Sequence, residues 1–331
     1  ALLAQTVVLD SNFKPVPLAG GAFIALRDVT DTAARPGLRA RLGFRITDDT
    51  SVELGYFGLQ QWARVATLTV GDPPFANSPF LGSAIIYGNK SFDTSITARY
   101  SSEIHSAEAN IRESFDLGDW SASALGGVRY FNLSEQISLT GLQTFPQLPG
   151  GPPPASQTIS EQTRTVTNNN LFGAQVGAEV GRFWLDDRVG LSVNGKVGIF
   201  ANNASQNTTN GARPVTGGGV GTTTLATGGG STDFASLYEG GIATTVRVTS
   251  RITVRGGYQT LYVRGLALAP TQLLQTGTAI QKSSLLVPGS FMPAGVPVPA
   301  TTYPPPGTGA GLNTNGNVFF HGPFAGLTII F

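Results

Sequence analysis

Residues 37–46 read GLRARLGFRI, and every second side chain is apolar: Leu38, Ala40, Leu42, Phe44 and Ile46. The positions between them carry Arg39, Arg41, Gly43 and Arg45. An extended strand puts these two sets on opposite faces, whereas a helix would scatter the arginines round its circumference. The same period of two returns along the chain. Val52, Leu54 and Tyr56 oppose Glu53 and Gly55, and Ala107, Ala109 and Ile111 oppose Glu108, Asn110 and Arg112. Ala122, Ala124, Val128 and Tyr130 oppose Ser123, Gly127 and Arg129. Phe172, Val176 and Val180 oppose Gln175 and Glu179, and Val189, Leu191, Val193, Val197 and Ile199 oppose Ser192, Asn194 and Lys196. Tyr238, Ile242, Val246 and Val248 oppose Glu239 and Arg247, and Ile252, Val254 and Tyr258 oppose Arg251, Arg255 and Gln259. Each run lasts about ten residues, which at roughly 3.3 Å per residue and a tilt of about 45° spans roughly 23 Å. That is the height of the apolar band on an outer-membrane barrel. A soluble sandwich alternates in the same way, so alternation alone leaves both folds open.

Loop lengths separate the two. Short connections are expected at 47–50, 116–120, 183–187 and 249–250, and long ones at about 71–91, 141–165, 201–232 and 264–314. Short turns on one rim and long loops on the other are the pattern of outer-membrane barrels. The aspartates Asp48, Asp49, Asp116, Asp119, Asp186 and Asp187 fall in the expected turns, where their side chains bond nearby backbone. Trp120, Phe183 and Trp184 fall at the short-turn rim, and Tyr56, Tyr130, Tyr238 and Tyr258 further along, as two aromatic girdles. Composition agrees. Charged residues make up 12% of the 331, and mean hydropathy is +0.06. That is too polar for a helical membrane protein and, at about half the usual charge, too charge-poor for an ordinary soluble one. No apolar run approaches the roughly 18 residues of a membrane-spanning helix.

The expected fold is therefore all-β: one antiparallel transmembrane barrel over 1–331, with short periplasmic turns and long extracellular loops. Nine strands are countable, at about 37–46, 51–63, 92–115, 121–135, 165–181, 188–200, 234–248, 251–263 and 317–331. Single-chain bacterial barrels favour even numbers, so ten is the expected count, within a range of 8 to 14. The missing strand falls at 20–28, where Ala22, Ile24 and Leu26 alternate, or upstream of Ala1; otherwise 1–36 is loop. The last strand carries Phe319, Ala325, Leu327, Ile329 and Phe331 on one face. Phe331 is read as an aromatic assembly signal for the outer-membrane insertion machinery.

Four stretches, GLRARLGFRITDDTSVELGYFGL (37–59), HSAEANIRESF (105–115), ALGGVRYFNLSE (124–135) and NNLFGAQVGAEV (169–180), resemble in order and spacing the β-barrel porin family abundant in planctomycete bacteria. They cover about a fifth of the chain. The resemblance implies an outer-membrane location, with the lipid bilayer and lipopolysaccharide as surroundings. Family members usually open with an aromatic-rich strand that this sequence lacks.

Several chemistries are excluded or unsupported. There are no cysteines, hence no disulfide, thiolate ligand or cysteine nucleophile. Net charge is +1, so nothing points to nucleic acid. The glycine-rich stretches 217–221 and 228–230 lack the strand and helix of a phosphate cradle. Asp48–Asp49 and Asp186–Asp187 read as solvated turns rather than calcium ligands, and the sequon Asn203-Ala204-Ser205 is a weak glycosylation hint. No cofactor or metal is expected. The histidines are His105 and His321, and no motif sets either beside a serine or carboxylate at the rim, so the chain reads as no enzyme.

The inward face is more telling. Parity assigns to it Arg39, Arg41, Arg45, Arg112, Arg129, Lys196, Arg247, Arg251 and Arg255, against Glu53, Glu108, Glu179 and Glu239. A wide barrel would make this basic wall an anion-preferring pore; a narrow one would close it as a salt-bridged core. The expected function is a porin-like barrel for passive diffusion of small solutes, anion-preferring and partly occluded. The alternative is a structural barrel with a closed lumen that forms homo-oligomers or arrays through its loops. The loop 264–314 carries Leu273, Leu274, Leu285, Leu286, Phe291 and Met292, and would either fold into the barrel mouth or pack on a neighbouring subunit.

Overall fold

The computed structural model describes residues 36–70, 94–145, 157–185, 188–216, 223–273 and 312–329. Nine strands follow one another: β1 (Gly37–Arg45), β2 (Thr50–Val70), β3 (Thr94–Leu117), β4 (Trp120–Phe145), β5 (Gln157–Trp184), β6 (Val189–Thr216), β7 (Thr223–Arg247), β8 (Ile252–Leu266) and β9 (Gly316–Ile329). They form one antiparallel meander in the order β1 to β9. The expected all-β antiparallel barrel wall is thus the observed architecture, curled as a half-barrel. The candidate tenth strand at 20–28 lies outside the described residues, as does Phe331.

The two faces of the wall differ as the alternation requires. Leu38, Leu42 and Phe44 of β1, Phe172, Val176 and Val180 of β5, and Val193, Val197 and Ile199 of β6 all point outward and are exposed. So large an exposed apolar surface belongs in lipid rather than water. The outer apolar band ends abruptly. On β5 the outward residues above Phe172 are Asn170 and Asn168, and on β4 those above Tyr130 are Asn132, Ser134 and Gln136. Tyr56, Tyr130, Tyr238 and Tyr258 mark this upper edge; Trp120 and Trp184 mark the lower one, with the Arg182 guanidinium 5.7 Å and 5.9 Å from their rings. Phe183 departs from expectation, because its parity turns it inward, where Arg247 lies 5.9 Å from its ring.

Above the band the strands continue. β6 runs to Thr216 and β7 begins at Thr223, so most of the loop expected at 201–232 is hairpin. The loop at 141–165 is likewise shortened, since β4 runs to Phe145 and β5 begins at Gln157, whereas the one expected at 71–91 falls between Val70 and Thr94 and lies outside the described residues. Ladder pairing still satisfies the backbone there although the outer face no longer carries a continuous apolar band.

Short turns close the lower rim. Gly118 sits at φ 73° in the tight β3–β4 turn, a left-handed conformation that suits glycine. The β1–β2 and β7–β8 turns share one construction. Ile46 N–H donates to the Thr50 carbonyl at 2.9 Å, and Val248 N–H donates to the Ile252 carbonyl at 2.9 Å. The Thr47 and Thr249 hydroxyls then accept the Thr50 and Ile252 N–H groups, each at 3.0 Å. The likeness extends along the following strands. Arg45, Thr47, Val52, Gly55, Tyr56 and Leu59 match Arg247, Thr249, Val254, Gly257, Tyr258 and Leu261 at one constant offset. This internal repeat relates the hairpin at one end of the sheet to a hairpin near the other.

The concave side is packed in layers. Nearest the short turns lie ionic side chains. Above them is an apolar cluster that includes Ile104, Phe131, Leu133, Leu171, Leu237 and Val263. A second apolar cluster higher up contains Trp62, Tyr100, Ile137 and Leu139. A bulge in β2 between Leu59 and Trp62 shifts the parity, which turns Trp62 inward.

Candidate functional site

The ionic layer is the candidate site. Register places its members: Glu53 on β2, Glu108 and Arg112 on β3, Arg129 on β4, Glu179 on β5, Lys196 on β6, Glu239 on β7 and Arg255 on β8. All share the inner face, and the curl brings together strands that are distant in the sheet. Glu239 accepts from Arg39 at 2.8 Å and from Arg129 at 2.9 Å, so one carboxylate of β7 joins β1 and β4. Gln259 donates to it as well, at 2.5 Å. Glu108 accepts from Lys196 at 2.7 Å and from Gln175 at 2.8 Å, with Arg129 at 3.8 Å. Nearer the short turns, Arg112 donates to Glu53 at 2.7 Å and to Glu179 at 3.4 Å, and Arg255 donates to Glu179 at 2.5 Å. The side chains of Arg129 and Glu239 are 2% and 1% exposed, so the centre of the network is desolvated, while Arg39, Glu53, Glu179 and Arg255 round it are partly exposed.

The inward-parity residues thus divide. Arg39, Arg112, Arg129, Lys196 and Arg255 neutralise the four glutamates. Among the described residues no carboxylate lies within 4.0 Å of Arg41, Arg45, Arg247 or Arg251. Arg45 and Arg247 end their strands and Arg251 lies in the turn before β8, outside any strand. The unpaired positive charge therefore collects toward the short-turn rim, with Arg41 further up.

The upper layer holds groups that parity alone did not bring forward. Gly265, at φ 90°, sits at the register shift near the end of β8, and the chain leaves the strand after Leu266. The following residues enter the concave side, where Leu266, Ala267 and Ala269 are fully buried. Asn169 holds both polar groups of Ala267: its Nδ2 donates to the carbonyl at 2.8 Å and its Oδ1 accepts the N–H at 2.7 Å. Asn202 donates to the Gly265 carbonyl at 2.8 Å, and Glu135 accepts the Ala269 N–H at 3.0 Å and the Tyr100 hydroxyl at 2.5 Å. Glu135 lies beyond the apolar band, and its burial pushes the carboxyl up from its ordinary value. The first residues of the 264–314 segment thus lie on the concave side of the sheet. Residues 274–311 lie outside the description.

The histidines need a correction. His105 does stand beside a carboxylate: its Nε2 is 2.9 Å from Glu103 and its Nδ1 is 2.7 Å from the Tyr56 hydroxyl. The group lies on the outer face at the upper girdle. His321 bonds Tyr258 in the same diagonal arrangement, with Phe319 stacked 5.3 Å away. The recurrence keeps the tyrosine–histidine bond and exchanges the carboxylate for a ring, as a girdle contact does and a catalytic dyad would not. Asp48 and Asp49 lie in an exposed turn, and Asp186 and Asp187 lie outside the described residues.

A family model described as Putative beta barrel porin-7 (BBP7) matches residues 26–303. No curated protein and no solved structure matches the chain.

Proposed function

The chain belongs to the BBP7 family of β-barrel porins, and from that premise we propose an outer-membrane barrel that passes small solutes, prefers anions and rests occluded. Glu239 carries the reading. A carboxylate that bonds arginines from β1 and β4 draws opposite parts of the wall to one point, where a wide aqueous pore would hold them apart. The apolar layer above adds a second constriction, of the kind that gates by excluding water. Anion preference rests on Arg45, Arg247 and Arg251, which have no carboxylate within 4.0 Å among the described residues, and on Arg41, which feels Glu53, Glu108 and Glu239 without a direct ion pair; their positive charge opposes the entry of cations. Outer-membrane placement rests on the roughly ten-residue apolar band between two aromatic girdles, and lipopolysaccharide would meet the upper one.

Planar-bilayer recording tests this. Small intermittent currents are expected, with a reversal potential in a salt gradient displaced toward the anion. A steady ohmic conductance of wide-porin size would overturn the occlusion, and a reversal potential displaced toward the cation would overturn the preference.

A further inference from the structure

We propose that residues 265–273 are a displaceable plug, an autoinhibitory strap of the barrel's own chain seated in a side-chain clamp of Glu135, Asn169 and Asn202. The inference deepens the occluded-barrel reading and rests on it. Its first support is the kind of bond that seats the segment. β8 is held to β7 and β9 by backbone ladders whose last rung is Leu266 against Gly316, but past Leu266 the wall holds the chain through side chains: two carboxamides and a carboxylate grip the backbone of Gly265 at the root and of Ala267 and Ala269 beyond it. Carboxamide–backbone bonds of this kind can be released without unzipping a strand.

The segment is also tied at its far end. Gln272 donates to the Asn313 carbonyl at 2.5 Å and accepts the Asn313 N–H at 3.3 Å. Thr314 then donates to Asp233 on β7 at 2.8 Å. The seated strap thus stays anchored between β8 and β9, so release would be local. Leu266 completes the lower apolar cluster and Leu273 the upper one, so the strap joins the two constrictions.

The wall beside the clamp is not finished as a permanent core. Asn202 Oδ1 and Thr167 Oγ1 are buried without a hydrogen-bond partner, although both residues are fully buried. Buried orphans of this kind are rare in settled cores; others lie elsewhere on the wall, such as Asn110 Nδ2 and Arg255 Nε, but Asn202 itself holds the strap and Thr167 stands two residues before Asn169 on β5. A wall that serves two arrangements satisfies neither completely.

The chain has no cysteine, which gives a clean test. Ala267→Cys places a thiol on the strap, and Leu237→Cys places one on the wall beneath it. Folded full-length protein in lipid vesicles is treated with a membrane-impermeant maleimide. Both thiols should react slowly, and Asn169→Ala or Glu135→Ala should speed both by at least about tenfold, since each removes bonds worth roughly a factor of ten. Glu135→Gln, which keeps an acceptor for Ala269, should leave the rates near the parent. Reactivity that is unchanged by either alanine variant overturns the proposal. If those variants do not fold, as heat-modifiable gel mobility would reveal, an Asn169→Cys/Ala267→Cys disulfide replaces them. The oxidised form should abolish the Leu237→Cys reaction and reduction should restore it; equal reaction in both states overturns the proposal. Thiol reactivity is read without any current. A silent bilayer with a mobile strap therefore counts against the porin reading alone, and an immobile strap in a conducting barrel counts against the plug alone.

Discussion

At the scale of single residues, the balance of the ionic layer hangs on Glu239. Removing one partner of a buried ion pair leaves an uncompensated charge, which costs about 3–5 kcal/mol, while the pair itself adds little over an apolar filling. Glu239→Ala would strand Arg39 and leave Arg129 with the more distant Glu108 at 3.8 Å. Urea unfolding of the lipid-inserted protein should show a loss in that range, and a smaller one for Glu239→Gln, which retains an acceptor. An unchanged midpoint for the alanine variant would mean that water already reaches the network. Which residues face inward was legible in the sequence, because parity alone sorts arginines and glutamates from leucines and valines. Which of them pair was not. Arg39 meets Glu239 two hundred positions away, and that contact depends on the curl of nine strands. The excess of nine inward cations over four acids was legible; how five of the nine gather round the four glutamates and leave the other four toward the rim was not. His105 was misjudged for a different reason: its carboxylate, Glu103, lies two residues away on the same strand and face, a spacing that a rim motif of histidine with serine or carboxylate does not specify.

At the scale of elements, the sequence showed each strand only where the outer face touches lipid. Above the girdle, β6 and β7 are built from Asn, Thr, Ser and Gly on both faces, so alternation vanishes although the ladder continues. Residues 201–216 and 223–232 therefore read as loop. The internal repeat escaped for another reason. Its matching positions are scattered through two hairpins that differ in charge, Glu53 answering Arg255, and only the shared turn bonds make it evident. The curl itself depends on glycines at inner-face positions. A Cβ on Gly173 would stand 2.0 Å from the Ile199 carbonyl oxygen of β6, whereas one on the outward Gly126 meets nothing within 4 Å. Gly173→Ala must push β5 from β6, which as overpacking costs on the order of 1–3 kcal/mol. Gly126→Ala should be neutral. Comparing the two by heat-modifiable mobility separates wall curvature from general glycine loss, and equal behaviour would remove curvature as the explanation.

At the scale of the whole molecule, β1 and β9 both run toward the short-turn rim and do not pair with each other. Direct closure would join them in parallel, in an otherwise antiparallel wall; an additional outward-running strand restores the alternation and gives the even count expected of such barrels. Each also carries one row of backbone donors and acceptors outside the nine-stranded ladder. In hydrocarbon each unsatisfied group costs several kcal/mol, so a spanning sheet cannot keep open edges. If the wall spans a membrane, as proposed, its seam must be covered there. Hydrogen exchange on the full chain in lipid tests this, read at the amides of β9 that do not point toward β8. They should be as protected as the interior amides of β5, whose neighbours on both sides are known. Fast exchange confined to that row would leave the edge bare, and a bare edge is incompatible with a lipid-spanning wall. The same experiment bears on Arg41, which lies on β1 without a carboxylate partner. If the seam is covered, Arg41 turns from an exposed edge charge into a lumen charge, and the anion preference should weaken in Arg41→Gln bilayer recordings.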